Sequence, residues 1–216
     1  MSDGDDIITA ARAGDAGGVS ALLDSDPSLA NVANDAGETP LIVAIYSGAR
    51  DVVSMLLARG AAANLFESAA MGDTPTIHAM LTANPALVNS YSYDGWTALH
   101  LAAHFGQTAT ARALVEQGAD IALRSRNPLD NLPLHAAVAG GDHAELVRLL
   151  LEHGANPNAT QHGGYTPLHE TAQNGFLVAT RLLLAAGADP NVRTNEGRSA
   201  RELAEEQGHT EISALL

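Results

Sequence analysis

The chain has 216 residues, of which 46% are hydrophobic and only 4% aromatic, and much of the hydrophobic share is alanine and leucine, which suit closely packed helices better than strands. Its 25 acidic residues outnumber 11 basic ones, for a formal net charge of −14, and this surplus argues against extended binding to nucleic acid or to an anionic membrane surface. Cysteine is absent, which excludes disulfides, a thiolate nucleophile and a metal site built on sulfur.

The N-terminal segment carries no recognisable targeting signal. Residues 1–6 are acidic, whereas a secretory signal begins with positive charge, and no apolar run in the chain approaches the ~20 residues of a membrane span. We therefore expect a soluble, cytoplasmic protein.

The first three segments differ in how much of a common pattern they carry. Residues 5–34 predict two short helices without a preceding turn, as expected for an N-terminal cap. In residues 35–64, Thr39 is placed to cap a helix that Pro40 begins. Residues 65–91 lack the turn and the Thr-Pro tetrad, so we expect an internal cap-like unit that bends or loosens the stack.

The remaining segments repeat one tetrad at a spacing of about 34 residues. Thr97-Ala98-Leu99-His100 returns as Leu132–His135 and Thr166–His169, and in altered form as Ser199–Glu202, where polar residues mark a C-terminal cap. Such a period predicts stacked units within a single domain over residues 1–216. The predicted units are approximately residues 5–34, 35–64, 65–91, 92–125, 126–160, 161–192 and 193–216.

These tetrads, with the Gly-Ala-Asp and Gly-Ala-Asn-Pro-Asn sequences that follow the helix pairs, resemble the ankyrin repeat over nearly the whole chain. The resemblance implies an all-α fold, an α-solenoid of stacked helix-turn-helix units with β-turn or hairpin loops. It also implies that His100, His135 and His169 hydrogen-bond the backbone within and between units. Ile42 and Glu202 depart from the tetrad histidine. By function, the resemblance implies a non-enzymatic module for protein–protein interaction.

In ankyrin-like stacks, the turn tips and the exposed ends of the first helices line one concave face. Most aromatic residues of this chain fall at those positions, and exposed aromatics are unfavourable unless a partner covers them. Trp96 packing on the following turn, and Tyr91 filling the space of the missing third turn, are the alternatives. The acidic surplus favours a partner with a basic surface. The predicted partner-binding residues are Tyr46, Tyr91, Tyr93, Asp94, Trp96, His104, Phe105, His162 and Tyr165.

No catalytic residue, cofactor or metal is predicted. His100 and His104 share one helix face at a spacing that suits a metal. However, the helix that carries His169 has Gln173 where a zinc protease needs its second histidine.

Two alternatives stay open beside the interaction module, although we expect a monomer. One is a metal- or small-ligand-binding protein that uses His100, His104 and His135, and the other is a self-associating scaffold.

Overall fold

The computed structural model describes residues 3–216, which form fourteen α-helices in seven consecutive pairs. The all-α class and the solenoid of stacked helix pairs are confirmed. Of the N-terminal segment discussed above, Met1 and Ser2 lie outside the described residues. The helices are α1 (Asp3–Arg12), α2 (Ala16–Ser25), α3 (Pro40–Tyr46), α4 (Arg50–Ala58), α5 (Leu65–Met71), α6 (Thr74–Ala83), α7 (Ala98–His104), α8 (Thr108–Glu116), α9 (Pro133–Gly140), α10 (Ala144–Glu152), α11 (Pro167–Asn174), α12 (Leu177–Ala185), α13 (Ala200–Glu206) and α14 (Thr210–Leu215).

Between residues 3 and 216, none of the helices combines the length and the hydrophobicity that crossing a membrane requires.

Side chains at the helix starts explain why these short segments become helical. Thr39 Oγ1 accepts a hydrogen bond from Ile42 N at 3.0 Å, and Pro40 is the first residue of α3. Thr97 caps α7 in the same way through His100 N at 3.4 Å. Each cap satisfies a main-chain donor that lacks a partner inside the helix, so the predicted start of α3 is confirmed.

The hydrophobic core runs along the stack, through the contacts between neighbouring helix pairs. Leu99 and Leu114 of the fourth unit share one apolar cluster with Leu134 and Leu149 of the fifth, and none of the four is more than 1% exposed. Val115 of the fourth unit is only partly buried. Burial of each large side chain is worth about 1.5–3 kcal/mol. The interfaces between units therefore carry most of the stability.

The turns of the fourth to seventh units form one row, because main-chain hydrogen bonds join each turn to the next. A Cβ on Gly95, whose φ is +79°, would lie 2.8 Å from the carbonyl carbon of Arg126, so only glycine permits this approach. The three bonds run from Arg126 N to Gly95 O at 2.8 Å, from His162 N to Leu129 O at 2.9 Å, and from Asn195 N to Gly163 O at 2.8 Å.

Asparagine side chains join the units through their other loops. Asn31 Nδ2 donates to Gly60 O at 2.9 Å, and its Oδ1 accepts from Ala62 N at 2.7 Å. Asn89 forms the same pair of bonds with the loop after α8, at 3.3 and 2.9 Å, and Asn158 with the loop after α12, at 2.9 and 2.8 Å. The same pair of asparagine bonds therefore joins neighbouring units at three places along the stack.

The third unit lacks the Thr-Pro tetrad, but a capping box of different residues takes its place. Asn64 Oδ1 accepts from Glu67 N at 3.0 Å, while Glu67 Oε2 accepts from Asn64 N at 2.7 Å. Asn64–Glu67 therefore occupies the place of Thr97–His100. Sequence comparison missed it because a capping box needs only a polar first residue and an acceptor at the fourth, not threonine and histidine.

Glu67 also ties the third unit to the second. Its side chain is buried, at 1% exposure, and Oε1 accepts a hydrogen bond from the Thr39 hydroxyl. Helix α5 packs against both α3 and α7. The stack is therefore continuous through this unit, although a bend there remains a prediction.

In the fifth unit, α9 and α7 approach each other closely at Gly140. A Cβ on this glycine would lie 1.8 Å from His104 O. No side chain fits in that space, so the glycine is required for the two first helices to pack.

Candidate functional site

Four of the predicted partner-binding residues meet where the second unit contacts the fourth. The Tyr46 hydroxyl donates to Asp94 Oδ2 at 2.5 Å, and its ring centroid lies 5.6 Å from that of Phe105. Tyr93 packs against Gly37, where an added Cβ would lie 2.9 Å from Tyr93 Cβ. We call Tyr46, Tyr93, Asp94 and Phe105 the aromatic cluster. The two units touch because the third has no turn to separate them.

The aromatic cluster exposes two tyrosine side chains. Tyr46 is 37% and Tyr93 41% exposed, whereas Phe105 is partly buried beneath them. A cavity of about 200 Å³ is lined by Tyr46, Tyr93 and Asp94 of the cluster, and by Ile42 and Glu67. The surface thus combines apolar rings with hydroxyl groups at their edges, which is typical of side chains that anchor interfaces.

A basic side chain partly neutralises the acidic groups around the aromatic cluster. Arg12 forms an ion pair with Glu38 at 2.7 Å, and this hydrogen bond lowers the Glu38 pKa. Burial, with the nearby Asp94 carboxylate, raises the Tyr93 pKa to about 12. Burial and the hydrogen bond to Asp94 also raise the Tyr46 pKa. Both phenols therefore stay neutral at neutral pH, and Asp94 is the acidic group that they surround.

Trp96 points inward, and the expectation that it faces solvent is wrong. The side chain is 8% exposed. Its ring stacks on His100, with centroids 6.0 Å apart, and meets His104 edge-on at 5.1 Å. The indole covers the first helix of its own unit, since residues four and eight positions further along lie beneath it. Burial lowers the pKa of His104, which is itself only partly exposed.

Tyr91 connects the fourth turn to the fifth. Its hydroxyl donates to Arg124 O at 3.0 Å, and the Arg126 guanidinium carbon lies 3.9 Å from the ring centroid. The ring is partly buried. Tyr91 therefore packs toward the next turn, and the alternative that it fills the space of the missing third turn is wrong.

The last two predicted residues, His162 and Tyr165, lie on the sixth unit beside a cavity of about 430 Å³. Sequence analysis missed the carboxyl group of Glu170 in its wall, although a charged residue directly after a tetrad histidine was a visible signal. We call this cavity the Glu170 pocket. It is lined by Ala139, Gln161, His162, Tyr165, Glu170, Gln173 and Asn174.

The tetrad histidines serve the backbone, as the resemblance implied. His100 Nδ1 shares a hydrogen bond with Thr97 Oγ1 at 2.8 Å, and Nε2 lies 3.2 Å from Asn131 O of the next unit. His169 repeats both bonds. His135 Nδ1 accepts a 3.4 Å bond from Leu132 N, its own cap residue, and backbone groups of Tyr165 and Ala159 oppose the effect of burial on its pKa. Burial lowers the pKa of His100 and of His135 to about 4. Over residues 3–216, no three histidine, aspartate or glutamate side chains are grouped as metal ligands.

Comparison with known proteins gives consistent matches. A family model described as ankyrin repeats matches three times, over residues 5–67, 65–161 and 134–216. The chain is 40% identical over 119 residues to cyclin-dependent kinase 4 inhibitor B of Rattus norvegicus, covering 55% of this chain and 88% of that protein. It is 30% identical over 180 residues to the nuclear factor NF-kappa-B p105 subunit of Gallus gallus, covering 78% of this chain but 18% of that protein. A B-cell lymphoma 3 protein homolog of Mus musculus is 31% identical over 179 residues, 76% of this chain and 39% of that protein.

Proposed function

Because this chain belongs to the ankyrin repeat family, we propose that it is a non-enzymatic interaction module that binds a protein partner. The proposed binding surface is a concave face made by the turns and by the ends of α3, α7 and α11. It contains the aromatic cluster and the Glu170 pocket. The acidic surplus favours a partner with a basic binding segment.

The observation that carries this proposal is the pair of exposed tyrosines in the aromatic cluster. Tyr46 is held by its hydrogen bond to Asp94, and Tyr93 by its packing against Gly37. Side chains that are fixed before binding lose little entropy when a partner arrives. Tyrosine is also among the residues that contribute most to binding energy at interfaces.

The relatives support the same class of function. The protein from Rattus norvegicus is named as an inhibitor of a cyclin-dependent kinase, which implies contact with another protein. It aligns with this chain along most of its own length. The partner of this chain is a separate question, because the chain spans less than a fifth of the p105 subunit that it also matches.

Affinity purification with mass spectrometry tests the proposal. Wild-type protein should enrich one specific partner, and Tyr93→Ala should lose it while helical content by circular dichroism is unchanged. Leu57→Ala is the matched control, because Leu57 on α4 is also 40% exposed but lies outside the proposed surface. Retained capture by Tyr93→Ala, or equal loss with Leu57→Ala, would contradict the assignment of the surface.

We further propose a cytoplasmic monomer that needs no cofactor and does not bind nucleic acid. Support comes from the net charge of −14, which disfavours contact with nucleic acid. Light scattering at increasing protein concentration should give a constant monomer mass. A rise in mass would instead favour the self-associating scaffold.

A further inference from the structure

The Glu170 pocket departs from the repeat in three ways. The first departure is a carboxyl group at a position where the second to fifth and seventh units have an uncharged residue. Glu170 directly follows the tetrad histidine. The equivalent residues of the second to fifth and seventh units are small or apolar and no more than 1% exposed. They are Val43, Ser68, Leu101, Ala136 and Leu203.

A second departure, Gln161, faces the first. In other turns the equivalent residue is short and binds its own turn: Asn34 Oδ1 accepts from Glu38 N at 3.0 Å, and Ser92 Oγ from Trp96 N at 3.1 Å. Gln161 instead donates from Nε2 to Glu170 Oε1 at 2.5 Å. The two unusual residues of the sixth unit are therefore partners of each other.

A third departure opens the space in front of them. At the end of the first helix, the second and fourth units carry Tyr46 and His104, whereas the fifth unit carries Ala139. Ala139 lines the pocket together with Glu170. The small side chain leaves unfilled the volume that an aromatic ring occupies in the second and fourth units.

Glu170 lacks a charged partner in this pocket. Its Oε2 atom has no exposed surface and accepts no hydrogen bond from any residue between 3 and 216. Burial raises its pKa to about 8, against the opposing effect of the Gln161 hydrogen bond. Arg198, whose hydrogen bond to Tyr165 raises the arginine pKa, forms its ion pair with Glu206 at 2.8 Å. Glu170 as a whole is partly buried, but a carboxyl oxygen that is withdrawn from solvent without a donor is unfavourable unless a ligand supplies one.

We propose that the Glu170 pocket binds the guanidinium group of an arginine side chain on the protein partner. This inference rests on the proposed function and specifies the chemistry of one contact. A guanidinium has five N–H donors in one plane, and the pocket is lined by the carboxyl group of Glu170 and by the side-chain amides of Gln173 and Asn174. The Tyr165 ring supplies an aromatic surface for the cation.

The arginine dipeptide analogue N-acetyl-arginine methylamide is the probe that tests this, with its citrulline and lysine counterparts. Citrulline has nearly the same shape without the charge, and lysine has the charge without the planar fork. In ¹H–¹⁵N spectra, the side-chain amides of Gln161, Gln173 and Asn174 should shift saturably with the arginine probe. The other two probes should bind about tenfold more weakly or less. Equal binding of either one would overturn the proposal.

Variants separate the pocket from the rest of the surface. At pH 8.5, above the Glu170 pKa of about 8, Glu170→Gln should weaken arginine binding about tenfold or more. Ala139→Tyr should block it while Glu170 is kept, because the ring fills the space that Tyr46 fills in its own unit. Glu145→Gln, at an exposed acid on α10, should bind like wild type. Wild-type binding by both pocket variants, each folded by circular dichroism, would overturn the proposal.

These measurements use no protein partner, so they fail separately from the proposed function. Partner capture that depends on Tyr93, without arginine binding by the isolated protein, would remove the pocket and leave the interaction module. Arginine binding without partner capture would support the pocket and contradict the interaction module.

Discussion

The Tyr46 hydroxyl donates to Asp94 Oδ2 at 2.5 Å, although the two residues belong to the second and fourth units. In the later units, the main-chain hydrogen bonds between turns join each turn to its direct neighbour. Here the contact passes over the third unit, because the loop between α4 and α5 is short and lacks the hairpin turn of the later units. The missing turn thus brings Tyr46 and Tyr93 into one exposed cluster.

Loss of this hydrogen bond should destabilise the stack modestly. We expect Tyr46→Phe and Asp94→Asn each to lower the free energy of unfolding by about 0.5–1.5 kcal/mol, measured by urea denaturation. The double variant should lose less than the sum, since both changes remove one interaction. Tyr93→Phe should change stability by no more than about 0.5 kcal/mol. Strictly additive losses would mean that the bond contributes nothing.

The buried carboxylate of Glu67 should matter more than its counterpart in the last unit. Glu67→Ala removes the hydrogen bonds to Asn64 N and to Thr39 in a buried place, so we expect a loss of about 2–3 kcal/mol. Glu202→Ala removes a similar bond, to Ser199 N at 2.7 Å, but in a solvated terminal unit. Its cost should be about 1 kcal/mol or less. Equal losses in thermal or urea unfolding would contradict the inter-unit role of Glu67.

The position of Trp96 can be checked by fluorescence, because it is the single tryptophan of the chain. Its emission should be blue-shifted relative to the unfolded protein, and acrylamide should quench it weakly, since the indole is 8% exposed. The protein in concentrated urea is the reference. Emission and quenching equal to those of the unfolded chain would place the ring in solvent.

Glu170 should make the protein less stable as pH rises. Its pKa is raised from 4.5 to about 8 by burial, so the carboxyl is neutral in both states below pH 4.5. Between pH 4.5 and about 8 it ionises only in the unfolded chain, which favours unfolding, and this loss is complete above pH 8. Glu170→Gln removes the effect and should gain about 1–3 kcal/mol on wild type between pH 5 and pH 8.5.

The neighbouring histidines are present in both wild type and Glu170→Gln, and a control variant measures the effect of removing any surface charge. Burial lowers the pKa of His169, and both His169 and His162 are unchanged by the substitution. Glu145→Gln, at an exposed acid, should show no pH-dependent gain over wild type in the free energy of unfolding. A Glu170→Gln curve parallel to that of wild type would contradict an uncharged buried carboxyl.

The local signals in the sequence were sufficient for the fold. Thr39 and Pro40 mark a helix start because the cap bond spans only three residues. The tetrad histidines recur with the repeat because each unit meets its neighbour in nearly the same way. The capping box of the third unit was missed, since asparagine and glutamate perform the same capping with different letters. Regular stacking thus lets a one-dimensional pattern determine helices, core and architecture.

Only the tertiary structure decided which of the candidate residues form a surface. Trp96 turns inward onto His100, while Tyr46 meets Asp94 from 48 positions away. The Glu170 pocket likewise depends on Ala139 in one unit and Gln161 in the next. Such placements follow from how each turn is offset from its neighbours, and a single missing turn changes them. The repeat pattern therefore determines the stack, and the irregularities between units determine what it can bind.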